Sequence, residues 1–249
     1  MTVDAYAAPF HACPGSQRAF LVVCDHASNA VPDSHDALGL TTDQLERHIA
    51  WDAGARGVAL ALADKLGCPA VLGGTSRLLI DLNRGINDAD SILIESDFTF
   101  IPGNFAIDEA ERALRVRLFH DPYHAHIDAH LDALLAVGIR PTLVSVHSFS
   151  PVMGGIARPW PIGVLWKRVR EPVAPLIEWF AAQGHRVGDN QPYDARILLG
   201  WTLEHHACRR DLLHVLFEIR SDGIESPEDE QAWGTLLHRA IVETRFGLA

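Results

Sequence analysis

Short apolar runs alternate with helix-patterned segments along the chain, and this rhythm restricts the fold more than any other feature. FLVVC (Phe20–Cys24), the stretch Pro141–Pro151, IGVLW (Ile162–Trp166) and Leu212–Arg220 read as buried strands, because each is a brief apolar run bounded by turn residues. PAVLGG (Pro69–Gly74), LLIDL (Leu78–Leu82) and His185–Gly188 read as further strands. Thr41 to Gln44 fits a capping box, and the spacing of Leu45, Ile49, Val58, Leu62 and Leu66 predicts a helix closed by Gly67. Asp108–Gly138 is helical in pattern, with a kink or split expected at Asp121-Pro122. Glu171–Gly184, Trp201–Asp211 and Glu228–Phe246 complete the helices. Asn87–Asn104 has no clear period and is expected to be a long, functional loop. Strands alternating with helices predict an α/β fold in which a mixed, mostly parallel sheet is sandwiched between helices, as one domain over 1–249.

Composition narrows the function. The formal net charge of −11 argues against a nucleic-acid or anionic-membrane surface, yet a local arginine pocket for a small anion remains compatible with it. No apolar run is long enough to span a bilayer, and the opening MTVDAYAAPFHACPG lacks the charge and apolar centre of a signal peptide. The four cysteines form no CxxC and read as reduced, buried thiols, so a cytoplasmic protein is expected. Fourteen histidines are the unusual feature, since imidazole is both a metal ligand and an acid/base.

Three of the strand-like runs end in residues suited to chemistry: VVCDH at His26, LVSVH at His147 and VLFE at Glu218. In a parallel sheet those ends share one edge, where ligands bind. Two neutral imidazoles and a carboxylate with an open position would make a catalytic zinc site. A carboxylate outside the ligand set would take a proton from the attacking water. In SRLLIDLNR, Arg77 and Arg84 flank Asp81 and Asn83. This stretch reads equally as a clamp for a substrate carboxylate or as a solvated edge with an Asp81–arginine salt bridge. HDPYHAHIDAH (His120–His130) holds the densest histidines, without an HExxH motif, and Tyr123 and His124 are its residues for substrate or supporting contacts. Tyr193 in DNQPYDAR is either a substrate hydrogen bond or a loop anchor, and at most one of His205 and His206 faces any site.

Taken in order, DHASNAVP, SRLLIDLNR, HDPYHAHID, HSFSP, RPWPIGVLW, DNQPY, LEHHA and FEIRSD resemble the N-formylglutamate amidohydrolase family, from His26 to about Asp222. The resemblance implies a fold like that of zinc carboxypeptidases and aspartoacylases. It implies one Zn2+ per chain, and release of formate and glutamate from N-formyl-L-glutamate, a step in histidine breakdown. It assigns His26 and His147 as metal ligands, Glu218 as the catalytic glutamate, and Asn83 and Arg84 as the carboxylate-binding pair. Carboxypeptidases use HxxE, whereas Asn29 stands three residues after His26, so the carboxylate ligand must come from elsewhere. Asp52 is the candidate and Asp25 the alternative; Arg77 is expected to assist at the oxyanion. A related enzyme acting on another N-acyl amino acid or small peptide, and a non-catalytic binding protein that keeps the fold, are the other readings.

Overall fold

The computed structural model describes residues 8–197 and 200–248. The first seven residues of the opening stretch read for a signal peptide lie outside them. The strands run β1 (Phe10–Cys13), β2 (Phe20–Cys24), β3 (Ala70–Gly73), a hairpin of β4 (Glu95–Ser96) and β5 (Thr99–Phe100), then β6 (Thr142–Phe149). A second hairpin, β7 (Val152–Met153) and β8 (Ile156–Ala157), precedes β9 (Ile162–Leu165), β10 (Val187–Asp189) and β11 (His214–Arg220). The main sheet has the order β1-β3-β2-β6-β11-β9-β10. The run β3-β2-β6-β11 is parallel, β1 is antiparallel at one edge, and β9 is antiparallel to β11. The expected mixed, mostly parallel sheet is therefore the observed one.

Period-two alternation sends side chains to opposite faces of this sheet. Phe20, Val22 and Cys24 face the helices α2 (Ala55–Leu66), α5 (Ala174–Ala182) and α6 (Pro227–Thr244). Leu21, Val23, Leu143 and Leu216 face α4 (Asp121–Ala136), with its buried Tyr123, Ile127 and Leu131. On the α4 side, Leu216 is followed two residues later by Glu218, which is paired in register with His147 of the neighbouring strand. None of the helices among the described residues is long and apolar enough to cross a membrane.

Three local expectations are corrected. The capping box at Thr41 and Gln44 forms, but it closes only the single turn α1 (Thr42–Leu45). The chain then leaves helical geometry until Gly54, whose φ of 76° is left-handed and whose added Cβ would meet the Ile224 carbonyl oxygen at 2.5 Å. Asp52 consequently lies in the connecting loop and not in a helix, and its N–H donates to the His26 carbonyl (3.0 Å). LLIDL is no strand: it is a buried turn, with Asp81 N–H bonded to the Ser91 carbonyl (2.8 Å), and Leu78, Leu79 and Ile80 in a separate core with Leu38, Ile49 and Phe119. The expected kink at Pro122 is a π-helical turn, Val116–His120, that joins α3 (Glu109–Arg115) directly to α4. The 87–104 loop, by contrast, carries one hairpin and is fastened from beneath. Buried Arg115 donates to the Leu79 carbonyl, Asn104 Oδ1 and the Gly103 carbonyl.

Candidate functional site

At the C-terminal ends of β2 and β6 the sheet edge opens into a cleft of about 520 Å³. His26, just past β2, and His147, near the end of β6, stand with ring centroids 5.1 Å apart. Asp52 reaches between them, with Oδ2 lying 3.3 Å from His26 Nδ1 and 2.8 Å from His147 Nδ1. Behind the rings, His26 Nε2 contacts Asp81 Oδ1 (2.7 Å) and His147 Nε2 contacts Asp25 Oδ2 (3.1 Å). Both nitrogens of each ring face a carboxylate, which can only accept, and a neutral ring has one N–H to give; with that proton on Nε2, toward Asp81 and Asp25, each Nδ1 presents a lone pair to Asp52. Three electron pairs, two on nitrogen and one on oxygen, thus point at one another.

Only added positive charge can relieve that convergence. Burial would lower both histidines, and Arg77 opposes a charge on His26, yet the surrounding carboxylates raise His26 and lift His147 well above the ordinary range. Burial likewise opposes ionised Asp52, but His26 and His147 hold it well below the usual carboxylate range. A divalent cation fits the same place: the ligand atoms of His26, Asp52 and His147 lie within 4.8 Å of one another. Each imidazole is also braced by an outer carboxylate, as metal-binding histidines are. Asp25, the alternative carboxylate, is committed elsewhere: its Oδ1 accepts from Tyr123 (2.7 Å) and Thr202 (2.6 Å).

Glu218 lines the cleft, and its buried Oε2 has no hydrogen-bond partner among the described residues. Burial pushes its carboxyl up to about 7, against the pull of His147. Arg77 also lines the cleft, and its Nε and Nη2 donate to Asp81 Oδ2 at 3.1 and 2.8 Å while Nη1 reaches Asp52 Oδ1 at 3.4 Å. The Asp81 salt bridge is therefore real, but it is mostly buried and belongs to the site. Asn83 and Arg84 line the wall beside it. Asn83 Oδ1 accepts from Thr202 N–H (3.1 Å), and its amide nitrogen has no hydrogen-bond acceptor among the described residues. Gly200, φ 101°, lies so close that a Cβ there would come 2.4 Å from Asn83 Oδ1. Tyr193 is on the rim, bonded through its hydroxyl to Arg158 (3.1 Å).

Tyr123 and His124 are not in the cleft wall. Tyr123 is fully buried with its hydroxyl on Asp25, while His124 bonds the Leu82 carbonyl (2.9 Å) and His206 (2.8 Å); of the two expected roles, substrate contact or support, this geometry fits support from behind. His206 is buried in that cluster and His205 is half-buried; neither lines the cleft. Sequence reasoning missed three members of the site. Asp81 was visible only as a salt-bridge partner, Thr202 carried no signal, and Arg158 lay within the RPWPIG run without a role attached.

A carboxylate-braced imidazole pair and a buried, unpaired glutamate at the open edge of a largely parallel sheet define an α/β enzyme of the hydrolytic class. The model of the N-formylglutamate amidohydrolase family matches residues 18–225, and the chain belongs to that family. It is similar to the gene product Atu2144 from Agrobacterium tumefaciens, with a TM-score of 0.90 and 31% identity over 96% of this chain and 95% of that one. It also shares the fold of N-formylglutamate amidohydrolase from Ralstonia eutropha JMP134, with a TM-score of 0.58 and 17% identity over 97% and 100% of the two chains. A comparison with curated protein sequences gives no match.

Proposed function

We propose that the protein is a zinc-dependent amidohydrolase that cleaves the formyl amide of N-formyl-L-glutamate, or of a close N-acyl amino acid, to formate and the free amino acid. The observation that carries this reading is the convergence of His26 Nδ1, His147 Nδ1 and Asp52 Oδ2 in the cleft that also holds the unpaired Glu218. A zinc ion bound by those three atoms would supply a Lewis acid for the carbonyl and lower the pKa of the attacking water.

The chain's own residues account for the rest. The Glu218 carboxylate accepts the water proton as the carbon–oxygen bond forms and delivers it to the departing amine nitrogen, a role suited to a group near 7. Asn83 Nδ2 and the Arg84 guanidinium hold a substrate carboxylate, fixing the amide opposite Glu218. Arg77, bound to both Asp52 and Asp81, contributes positive charge beside the carbonyl oxygen and keeps Asp81 ionised behind His26. Arg158 and Tyr193 at the rim are placed for a second anionic group of the substrate. A reducing, cytoplasmic setting is part of the same proposal, in keeping with the free cysteines.

A panel of N-formyl and N-acetyl amino acids tests the assignment. Formate release is expected to be fastest with N-formyl-L-glutamate. Preference for a longer acyl group or a peptide would transfer the chemistry to another substrate, and binding without turnover of any member would contradict it.

A further inference from the structure

His120, the last residue of the π-turn, and His124, in the first turn of α4, do not line the cleft. Both aim at one short segment. His120 Nε2 lies 3.1 Å from the Arg84 carbonyl oxygen, and His124 Nε2 lies 2.9 Å from the Leu82 carbonyl oxygen. A carbonyl only accepts, so both rings are fixed as the Nε2–H tautomer. The two rings lie on one helix face, four residues apart, with centroids 4.3 Å apart and planes tilted by 47°. Between the two carbonyls sits Asn83, whose own carbonyl accepts Trp201 N–H (3.1 Å) and whose side-chain oxygen accepts Thr202 N–H. The segment lies outside the sheet ladders, and within it Asn83 and Arg84 N–H bond only Asp81, through its side chain (2.8 Å) and its carbonyl (3.2 Å).

A chain of contacts orients His124 in turn. Its Nδ1 meets His206 Nε2 at 2.8 Å, and His206 Nδ1 meets Asp128 Oδ1 at 2.9 Å. Asp128, His205 and His206 are close enough together to resemble a cation site. Arg210, however, already donates to Asp128 Oδ1 (2.7 Å), and Arg209 lies 3.2 Å from His205 Nδ1. Two guanidinium groups supply the positive charge a cation would bring, so the cluster works as a brace. Burial pushes His206 down to about 4; a neutral His206 has one N–H, which goes to His124 Nδ1, so Asp128 Oδ1 is satisfied by Arg210 and not by His206.

We infer that His120 and His124 are positioning residues for substrate anion binding: through the Leu82 and Arg84 carbonyls they hold Asn83 and Arg84 in the conformation that clamps the substrate carboxylate. This rests on the clamp role given to Asn83 and Arg84 above.

The test uses full-length, zinc-loaded protein and two readouts. His124→Leu and His120→Leu are expected to raise KM for N-formyl-L-glutamate by roughly tenfold each while kcat stays within about threefold. His124→Gln, whose amide can still donate to Leu82, is expected to recover most of the loss. Hydrogen exchange at residues 83–85 reads the same device without any substrate, and is expected to accelerate in the leucine variants and not in His124→Gln. Should His124→Leu fail to fold, His124→Asn replaces it, being polar but too short to reach Leu82. Unchanged KM and unchanged exchange in folded leucine variants would overturn the inference, as would a loss confined to kcat. If the wild type does not turn over N-formyl-L-glutamate but exchange at 83–85 still responds, the substrate reading fails and the positioning role stands.

Discussion

The molecule contains two clusters of buried histidines, and they are wired in opposite senses. In the first, at the sheet edge, His26 and His147 are backed by Asp81 and Asp25 and turn their remaining nitrogens toward Asp52. In the second, around the start of α4, His120 and His124 spend their donors on backbone carbonyls, and the nearby carboxylates are Asp121, 3.6 Å from His120 Nδ1, and Asp128, already paired with Arg210. Carboxylates lift the first pair toward the charged state; burial pushes the second pair toward neutrality. The lesson is that burial and imidazole content do not separate a reactive cluster from a bracing one. What separates them is what each cluster turns outward: lone pairs aimed into a shared cleft in the first, N–H donors spent on the protein's own backbone in the second.

The comparison breaks hardest at Glu218. Glu218→Gln keeps the shape but removes the proton acceptor, and kcat for formate release is expected to fall about 10^3-fold, within the usual span for general acid–base groups. An equal loss in a variant of the bracing cluster would erase the distinction. Next in size are the outer carboxylates. Asp81→Asn and Asp25→Asn are expected to weaken zinc affinity by about 10 to 100-fold, measured by competition with a chelator, whereas Asp128→Asn leaves it unchanged. At the clamp, Arg84→Ala is expected to raise KM by roughly 30-fold with a smaller change in kcat, read by steady-state kinetics.

The smallest effect is one of stability. Because burial raises Glu218 to about 7, the folded metal-free protein holds that proton more tightly than the unfolded chain does. This contribution is complete at pH values below the ordinary glutamate range and is lost as pH rises to about 7, on the order of 3 kcal/mol at most. Glu218→Gln should therefore melt higher than the wild type at pH 8 and close to it at pH 4, both without metal. A difference that grows toward acid pH would reverse the assigned shift.

Much of the frame was legible because it is written in short-range pattern. The runs ending at Cys24, Phe149, Leu165 and Arg220 are strands, and their switch from apolar to polar residues located His26, His147 and Glu218. What escaped was set by contacts between distant segments. The apolar spacing of 45–66 suits one helix, but the pull of the His26 carbonyl on Asp52 N–H and the left-handed Gly54 break it, and that break aims Asp52 at the imidazoles. LLIDL has the composition of a strand, and nothing local distinguishes a buried run from a buried turn. Asp81 and Thr202 entered the site only because the fold sets them against His26 and Asp25, 55 and 177 residues away in sequence. The i, i+4 pair His120 and His124 was visible as a helical face, but its target, the backbone beside Asn83, was not.

The most direct test is zinc content and formate release measured on the same preparations of wild type and Asp52→Asn. The account predicts close to one zinc per wild-type chain, with activity lost on chelation and restored by zinc, and neither zinc nor activity in Asp52→Asn. Full-rate formate release from metal-free wild type, or stoichiometric zinc retained by Asp52→Asn, would contradict it.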